Sequence, residues 1–319
     1  MENLSNIPLI FNIFKPAGIT SYDVIRHFKR NLPRPLTKKI GHIGTLDPFA
    51  SGVLMVGING GTKINDYVHQ YMPKTYIAVG KLGVFTQTGD LTEKIEKTDE
   101  SEYLYKNIAK FDLPFLQNQI EKKFLGTYMQ APHKYSAAKF EGRPLHQWAR
   151  EGIEIKKEEV PRTIYKISVM KYAFPFLAIR VTVSSGTYIR TLFQDIAKYL
   201  GTFGTLRALV RESVGEISIT SSLKQKNWPL KNENYDLSCN ALSLDKVLPL
   251  NEITLLDEHS ANRYRNGVSF YLKDIKVSKK SLAKIDNNYW VFDHDKKLIG
   301  MGKTESGKEV RPCFNFAIN

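Results

Sequence analysis

The first readable feature of the chain is an apolar run, Leu9–Phe14 (LIFNIF), which predicts a buried strand. It breaks at the turn cluster Lys15-Pro16-Ala17-Gly18. Thr20 or Ser21 then caps a helix whose apolar residues Val24, Ile25, Phe28 and Leu32 recur at helical spacing. Val53–Ile58 reads as a strand. Lys63–Tyr71 predicts a short helix with Ile64, Tyr67, Val68 and Tyr71 on one face. Thr75–Val84 alternates as a strand does. Ile164–Ala173 and Phe176–Ser184 predict an antiparallel pair. Tyr188–Leu200 is an amphipathic helix stopped by Gly201, and Leu206–Val210 and Glu216–Thr220 are further strands.

Polar stretches punctuate this pattern. Residues 90–100 read as a loop. The segment from Phe124 to Gly152 is rich in Lys, Arg, His and aromatic residues, and predicts a mobile insertion with a short helix near Leu145–Arg150. Residues 221–245 are polar and place a domain boundary there. Beyond Leu248 a short helix at Ser260–Asn266 and hairpin turns at Asn287-Asn288 and Asp293–Lys296 predict a small β-rich domain of barrel type. No internal repeat is found.

With 319 residues there is enough chain for one large domain and a small second one. Hydrophobic residues at 42% and charged residues at 24% are ordinary globular values, so disorder is not the expectation. The charge changes the picture more. A net +14, from 46 Lys+Arg against 32 Asp+Glu, points to a polyanionic partner, nucleic acid before membrane, with a mere solubility charge as the competing reading. There is no long basic amphipathic helix, no apolar run long enough to span a bilayer, and no signal-peptide pattern in MENLSNIPLIF, so the cytoplasm is expected. The two cysteines, Cys239 and Cys313, lie far apart with no CxxC and no His cluster. Neither a disulfide framework nor structural zinc is expected.

Candidate chemistry concentrates in Gly41–Leu54 (GHIGTLDPFASGVL), where three glycines surround one carboxylate, Asp47, directly before a strand. Glycines allow sharp turns and close approach, and Pro48 stiffens the chain after the carboxylate. A plain Asp-Pro turn is the competing reading. Gly57–Lys63 (GINGGTK) lacks the GxxxxGK[ST] spacing, which excludes a nucleoside triphosphate loop.

GHIGTLDPFASGVL resembles the signature loop of the TruB family of tRNA pseudouridine synthases. KPAGITSYDV, KTYIAVGKLG, KYSAAKFEGRPLHQWAREG, GTYIRTLFQDI and LVRESVG resemble that family's other blocks in the same order, over roughly residues 9–220. The resemblance implies an α+β pseudouridine synthase fold: a large mixed, mainly antiparallel sheet with flanking helices in residues 1–245, and a thumb insertion at 124–152. LIGMGKTESGKEVRP is similar to the closing hairpin of PUA domains, which implies a β-barrel-type RNA-binding PUA domain over 248–319.

The implied activity is isomerisation of uridine to pseudouridine at position 55 in the T-arm loop of tRNA by a stand-alone monomer without obligate protein partner. A guide-RNA-dependent enzyme and a non-catalytic RNA-folding protein are the alternatives. Uracil leaves C1′, turns and rejoins through C5. No atom is gained or lost, so no cofactor and no metal is implied. By the resemblance Asp47 is the catalytic carboxylate. Bonding to C6, addition to C1′ and base assistance at the sugar all stay open, the sugar being favoured. Arg190 is expected to pair with Asp47 and lower its pKa. Tyr76 is expected to stack on the extruded base and to help remove the C5 proton. Tyr188 and Leu209 would form an apolar wall, and His42 would fill the place of the flipped base. Lys15, counted with the substrate-binding residues, is expected to support the sheet near the site. RNA contacts are expected from His133, Lys134, Lys139, Arg143, His146 and Arg150 in the thumb, with Tyr128, Tyr135 and Trp148 between them. Lys279, Lys280, Lys303 and Arg311 would add contacts in the tail.

Overall fold

The computed structural model describes residues 8–135, 139–153, 155, 158–231, 240–271, 275–278, 287–304 and 309–316. Ten strands form the main sheet: β1 (Leu9–Lys15), β2 (Ile40–Ile43), β3 (Ser51–Ile58), β4 (Lys74–Leu82), β5 (Gly126–Gln130), β6 (Val160–Ala173), β7 (Phe176–Val183), β8 (Gly204–Val214), β9 (Ile217–Ser218) and β10 (Ala241–Leu242). Their order is β10-β1-β3-β8-β4-β7-β6-β5, with β2 beside β3 and β9 beside β8. All pairings are antiparallel except β3 with β8, which are parallel and meet only at Ser51↔Val210 and Gly52↔Arg211. The expected mixed, mainly antiparallel sheet is thus present.

β3 shows why this sheet is buried on both faces. Its side chains alternate, so Leu54, Val56 and Ile58 enter one core while Val53 and Met55 enter the other. The first core is closed by three helices: α1 (Ser21–Asn31), α2 (Leu113–Phe124) and α3 (Ile189–Tyr199). Each inserts residues at helical spacing, for example Val24, Ile25 and Phe28 from α1, and Leu192, Phe193 and Ile196 from α3. α1 begins with a reciprocal cap: the Thr20 hydroxyl accepts from the Asp23 amide, and the Asp23 carboxylate accepts from the Thr20 amide.

The second core packs the C-terminal sheet against the back of the first. That sheet orders Phe270–Tyr271, Glu309–Asn315, Leu298–Thr304, Asn288–Phe292, Asn251–Thr254 and Lys276–Ser278. Trp290, Met301 and Phe316 meet Ile10, Val53, Met55 and Ile64, and the Trp290 indole donates to the Leu248 carbonyl at 2.8 Å. The curled sheet is the expected PUA-like element. The Asp293–Lys296 turn connects two of its strands, and its helix is Glu258–Arg265, capped by Asp257.

Three expectations change. Residues 124–152 are not one insertion: Phe124 ends α2, and Gly126–Gln130 is an edge strand of the main sheet. Its inward positions are Tyr128 and Gln130, polar-tipped residues that hide the alternation. The helix at Asn65–Tyr71 buries Val68 and packs Tyr67 against the second core but leaves Tyr71 at the surface. Within Glu216–Thr220 only Ile217–Ser218 is a strand, and a 3-10 turn follows.

Candidate active site

The site lies where the main sheet comes apart. Along the edge of β3 that faces β8, β8 pairs with residues 51–52 and β2 with residues 55–58, leaving a gap between them. The loop carrying Asp47 joins β2 to β3 over that gap. Arg211, buried on β8, fills it: Nε donates to the Val53 carbonyl at 2.7 Å, Nη2 to Gly44 at 2.9 Å and Nη1 to Thr45 at 3.2 Å. A guanidinium therefore replaces missing strand hydrogen bonds and holds the loop's first half.

Glycine is required where the two strands touch. Gly52 has φ +113°, and a Cβ there would lie 2.2 Å from the Arg211 carbonyl oxygen. Gly44 turns the loop with φ +74°. The second half is held from two sides. The Ser21 hydroxyl of α1 donates to the Leu46 carbonyl and accepts from the Leu46 amide at 2.9 Å. Lys15 is fully buried below, donating to the carbonyls of Ile19 (2.7 Å), Pro16 (2.8 Å) and Pro48 (3.3 Å). Burial pulls its pKa down to about 8, against the opposing charge of Asp47. Lys15, counted in the sequence with the substrate-binding residues, lies beneath the loop and is not among the residues that line the cleft.

Asp47 stands at the floor of a cleft of about 780 Å³, its side chain 35% exposed. Arg190, from the first turn of α3 and only 6% exposed, grips both carboxylate oxygens, Nε to Oδ2 and Nη2 to Oδ1, each at 3.0 Å. The same guanidinium donates to the Thr88 carbonyl at 2.7 Å and lies 3.5 Å from the Asp90 carboxylate. Asp90 is itself buried and accepts from the Thr92 amide at 3.1 Å. One cation thus serves two carboxylates. Its fixed fork leaves one Asp47 orientation, aimed into the cleft.

The Asp47 carboxyl is pushed above the ordinary carboxylate value. Burial raises it most; Arg190 pulls it down, Asp90 pushes it up, and Lys15 pulls it down. The expectation that Arg190 leaves Asp47 with a lowered pKa is corrected: Arg190 acts in that direction, but desolvation outweighs it.

The expected wall residues converge. Tyr76 on β4 and Arg211 on β8 are cross-strand partners facing the cleft, two positions from Lys74 and Leu209 respectively. Tyr76 and Leu209 are nearly buried, while Tyr188 and His42 are partly exposed at the lining. His42 is held by β2; burial, then the Arg211 charge, lowers its pKa, so its ring is neutral at pH 7. Tyr188 caps α3, and the side chain of Gln130 on β5 brackets its peptide. Gln130 Oε1 accepts from the Tyr188 amide at 2.8 Å, and Nε2 donates to the Tyr188 carbonyl at 3.0 Å.

His133 departs from its expected part as an RNA contact. It is 6% exposed, packed beside Tyr188 and Tyr135, and its Nδ1 accepts from the Tyr135 amide at 3.1 Å. Burial, then the neighbouring Arg190 charge, pulls its pKa to about 3, so it is a neutral packing residue. Tyr128 is likewise half-hidden and donates to the Asp195 carboxylate of α3. Lys134 is exposed, and Arg143 pairs with Glu151 while stacking over Trp148 at 4.3 Å. The side chains of Lys139, His146 and Arg150, and the whole of Lys279 and Lys280, lie outside the described residues. Lys303 and Arg311 are exposed on the tail sheet.

Sequence reasoning missed Asp90, Lys74 and Arg211. Lys74 is buried on the Tyr76 face of β4, donates to Ser185 and to the Met72 carbonyl at 3.3 Å, and has its pKa lowered to about 8 by burial, then Arg211. For Lys74 and Arg211 the signal was a cation on the inward face of an alternating strand. Asp90 sits in a polar stretch that reads as solvated, and carried no such signal.

Residues 30–189 match the family model described as TruB family pseudouridylate synthase (N terminal domain). The chain is 37% identical over 303 residues to the tRNA pseudouridine synthase B of Clostridium tetani, covering 94% of this chain and 97% of the relative. It is 36% identical over 306 residues to that of Clostridium acetobutylicum, with the same coverage. A chain from the structure of an H/ACA ribonucleoprotein bound to a substrate RNA containing 2′-deoxyuridine superposes over 99% of this chain and 87% of its own. Its TM-score is 0.66 at 21% identity, a likeness of fold. No helix among the described residues is long and apolar enough to cross a membrane. The chain belongs to the TruB family of pseudouridylate synthases.

Proposed function

We propose that this protein isomerises the uridine at position 55 in the T-arm loop of tRNA to pseudouridine, extruding the base into the cleft, with Asp47 as the catalytic carboxylate. The observation that carries the reading is the Asp47–Arg190 pair, a carboxylate held at both oxygens on the floor of a cleft whose lining includes Tyr76, Tyr188 and Leu209. In the reaction the C1′–N1 bond breaks, the C1′–C5 bond forms, the C5 proton leaves and N1 gains one. Arg190 needs no movement during these steps, so its charge is preorganised for an ionised Asp47 acting at the sugar. The raised pKa makes the carboxylate a better base or nucleophile than a solvated one. The Tyr76 ring offers a stacking face, and His42 stands ready to occupy the space the base leaves.

In this reading the chain divides into a catalytic domain, 1–245, and an RNA-binding domain, 248–319, and acts as a monomer in the cytoplasm without a protein partner. Lys134 and Arg143 contact the RNA from the part of the thumb that follows Gln130. The test is mass-labelled pseudouridine mapping on unmodified tRNA with the wild type and Asp47→Asn. Product at one T-loop uridine from the wild type alone is expected. Equal product from both proteins, or product elsewhere, defeats the proposal.

A further inference from the structure

We propose that the outer surface running from α1 through the Arg34–Thr37 turn to β2 is a phosphate-binding ledge for the RNA whose base enters the cleft. This rests on the RNA substrate proposed above and adds a surface that neither thumb nor tail supplies.

Charge is the first observation. Between Asp23 and Asp47 the chain carries six cations (Arg26, Lys29, Arg30, Arg34, Lys38 and Lys39) and no carboxylate. Helical spacing turns the α1 members outward, because Val24, Ile25 and Phe28 occupy the core face, and all six cations are exposed. Among the described residues only Arg26 of the six has a carboxylate partner, Asp23. Some exposed cations elsewhere are compensated, as Arg180 is by Glu212 and Lys106 by Glu102; single exposed lysines are common, but six cations in succession without a carboxylate set this segment apart. A run of uncompensated like charges repels itself, and an RNA backbone relieves that repulsion while releasing counterions.

Shape is the second. The outer side of α1 borders a groove of about 810 Å³ whose lining includes Asp23, Arg26, His27, Arg30, Asn31 and Lys231, the last arriving from a distant part of the chain; Asp23 is the one carboxylate there and is held by Arg26. Tyr22, 58% exposed one turn earlier, lies under the Arg26 guanidinium at 6.0 Å and offers an aromatic face beside the cations.

Continuity with the cleft is the third. The ledge begins beside Ser21, which is bonded to Leu46 in the catalytic loop. It ends at Lys39, next to Ile40, Gly41 and His42, which line the cleft. Lys39 is close enough for its charge to act on Lys63, beside the cleft residue Thr62. A strand leaving the cleft past His42 therefore meets cations without a break.

The experiment compares binding and turnover of unmodified tRNA by the wild type, by Lys29→Gln/Arg30→Gln/Lys38→Gln, and by Lys110→Gln/Lys122→Gln/Lys123→Gln. The last removes the same charge from around α2, at the other end of the sheet. Three lost phosphate contacts lower the slope of log K against log salt by about 2–3. The wild type's affinity advantage then shrinks by about 16- to 64-fold as salt rises from about 50 to about 200 mM. Turnover at saturating tRNA stays unchanged, and the control behaves as the wild type. A ledge variant with the wild-type slope, or a control that loses as much, overturns the inference. A wild type that binds tRNA with this salt dependence yet forms no pseudouridine defeats the proposed function and leaves the ledge standing.

Discussion

Replacing Arg190 separates the two things it gives Asp47, charge and orientation. Arg190→Lys keeps the charge but replaces a fork with a point. At most one of the two 3.0 Å bonds to Asp47 survives, and the 2.7 Å bond to Thr88 is lost. A charge-assisted hydrogen bond contributes about 1.5–3 kcal/mol, so losing one arm of the fork predicts a fall in kcat of roughly 10- to 150-fold. Arg190→Gln removes the charge as well. Arg190 is the strongest influence holding the Asp47 pKa down, while burial and Asp90 hold it up, so the carboxyl rises further.

Removing that guanidinium takes away the main influence opposing burial, so the direction of the change is upward. The ionised carboxylate is the active form, so activity is lost as pH falls through its folded pKa, and a higher pKa moves that loss to higher pH. The assay is kcat/KM against pH on unmodified tRNA, with thermal melting to check folding, because Arg190→Gln also leaves Asp90 without its cation. The wild-type acid limb is expected above the ordinary carboxylate value, unmoved in Arg190→Lys and displaced to higher pH in Arg190→Gln. An acid limb unmoved in a folded Arg190→Gln protein refutes the electrostatic role, and full turnover in Arg190→Lys refutes the positional one.

Other consequences are as direct. Gln130→Ala removes both bonds to the Tyr188 peptide at the start of α3, so kcat is expected to drop about tenfold or more with little change in tRNA affinity; an equal loss in affinity would show that Gln130 serves the RNA surface instead. Tyr76→Phe keeps the ring and removes the hydroxyl: near-normal turnover indicates stacking alone, whereas accumulation of a product precursor in single-turnover chromatography indicates a proton role. Gly52→Ala forces a side chain against the Arg211 backbone at positive φ and should cost about 3 kcal/mol or more, read as a lower urea midpoint. His133 stays neutral in the fold down to about pH 3, while the unfolded chain binds its proton near pH 6.5. Stability is therefore lost as pH falls between those values, by up to about 1.4 kcal/mol per unit, and the urea midpoint of His133→Asn should fall less steeply over that range.

Local pattern alone carried a large part of this protein. The strands at Leu9–Lys15, Ser51–Ile58, Lys74–Leu82 and Phe176–Val183 and the helices at Ser21–Asn31 and Ile189–Tyr199 follow from period-two and period-3.6 alternation, and each was legible within a residue or two. The glycine-bracketed Asp47 loop was legible too, because Gly44 and Gly52 mark positive φ in the sequence itself. Tertiary structure alone decided which polar residues were buried and what they met. Polarity predicts exposure unless a partner distant in the chain compensates it. Asp90 pairs with Arg190 across a hundred positions, Arg211 is satisfied by carbonyls of a loop more than 150 residues earlier, and Gln130 holds the peptide of Tyr188. His133, a residue type expected in RNA contacts, became a neutral buried ring for the same reason: folding set it beside Tyr135, Tyr188 and Arg190. Hydrogen bonds and charges of this kind act through space, at distances that only folding creates.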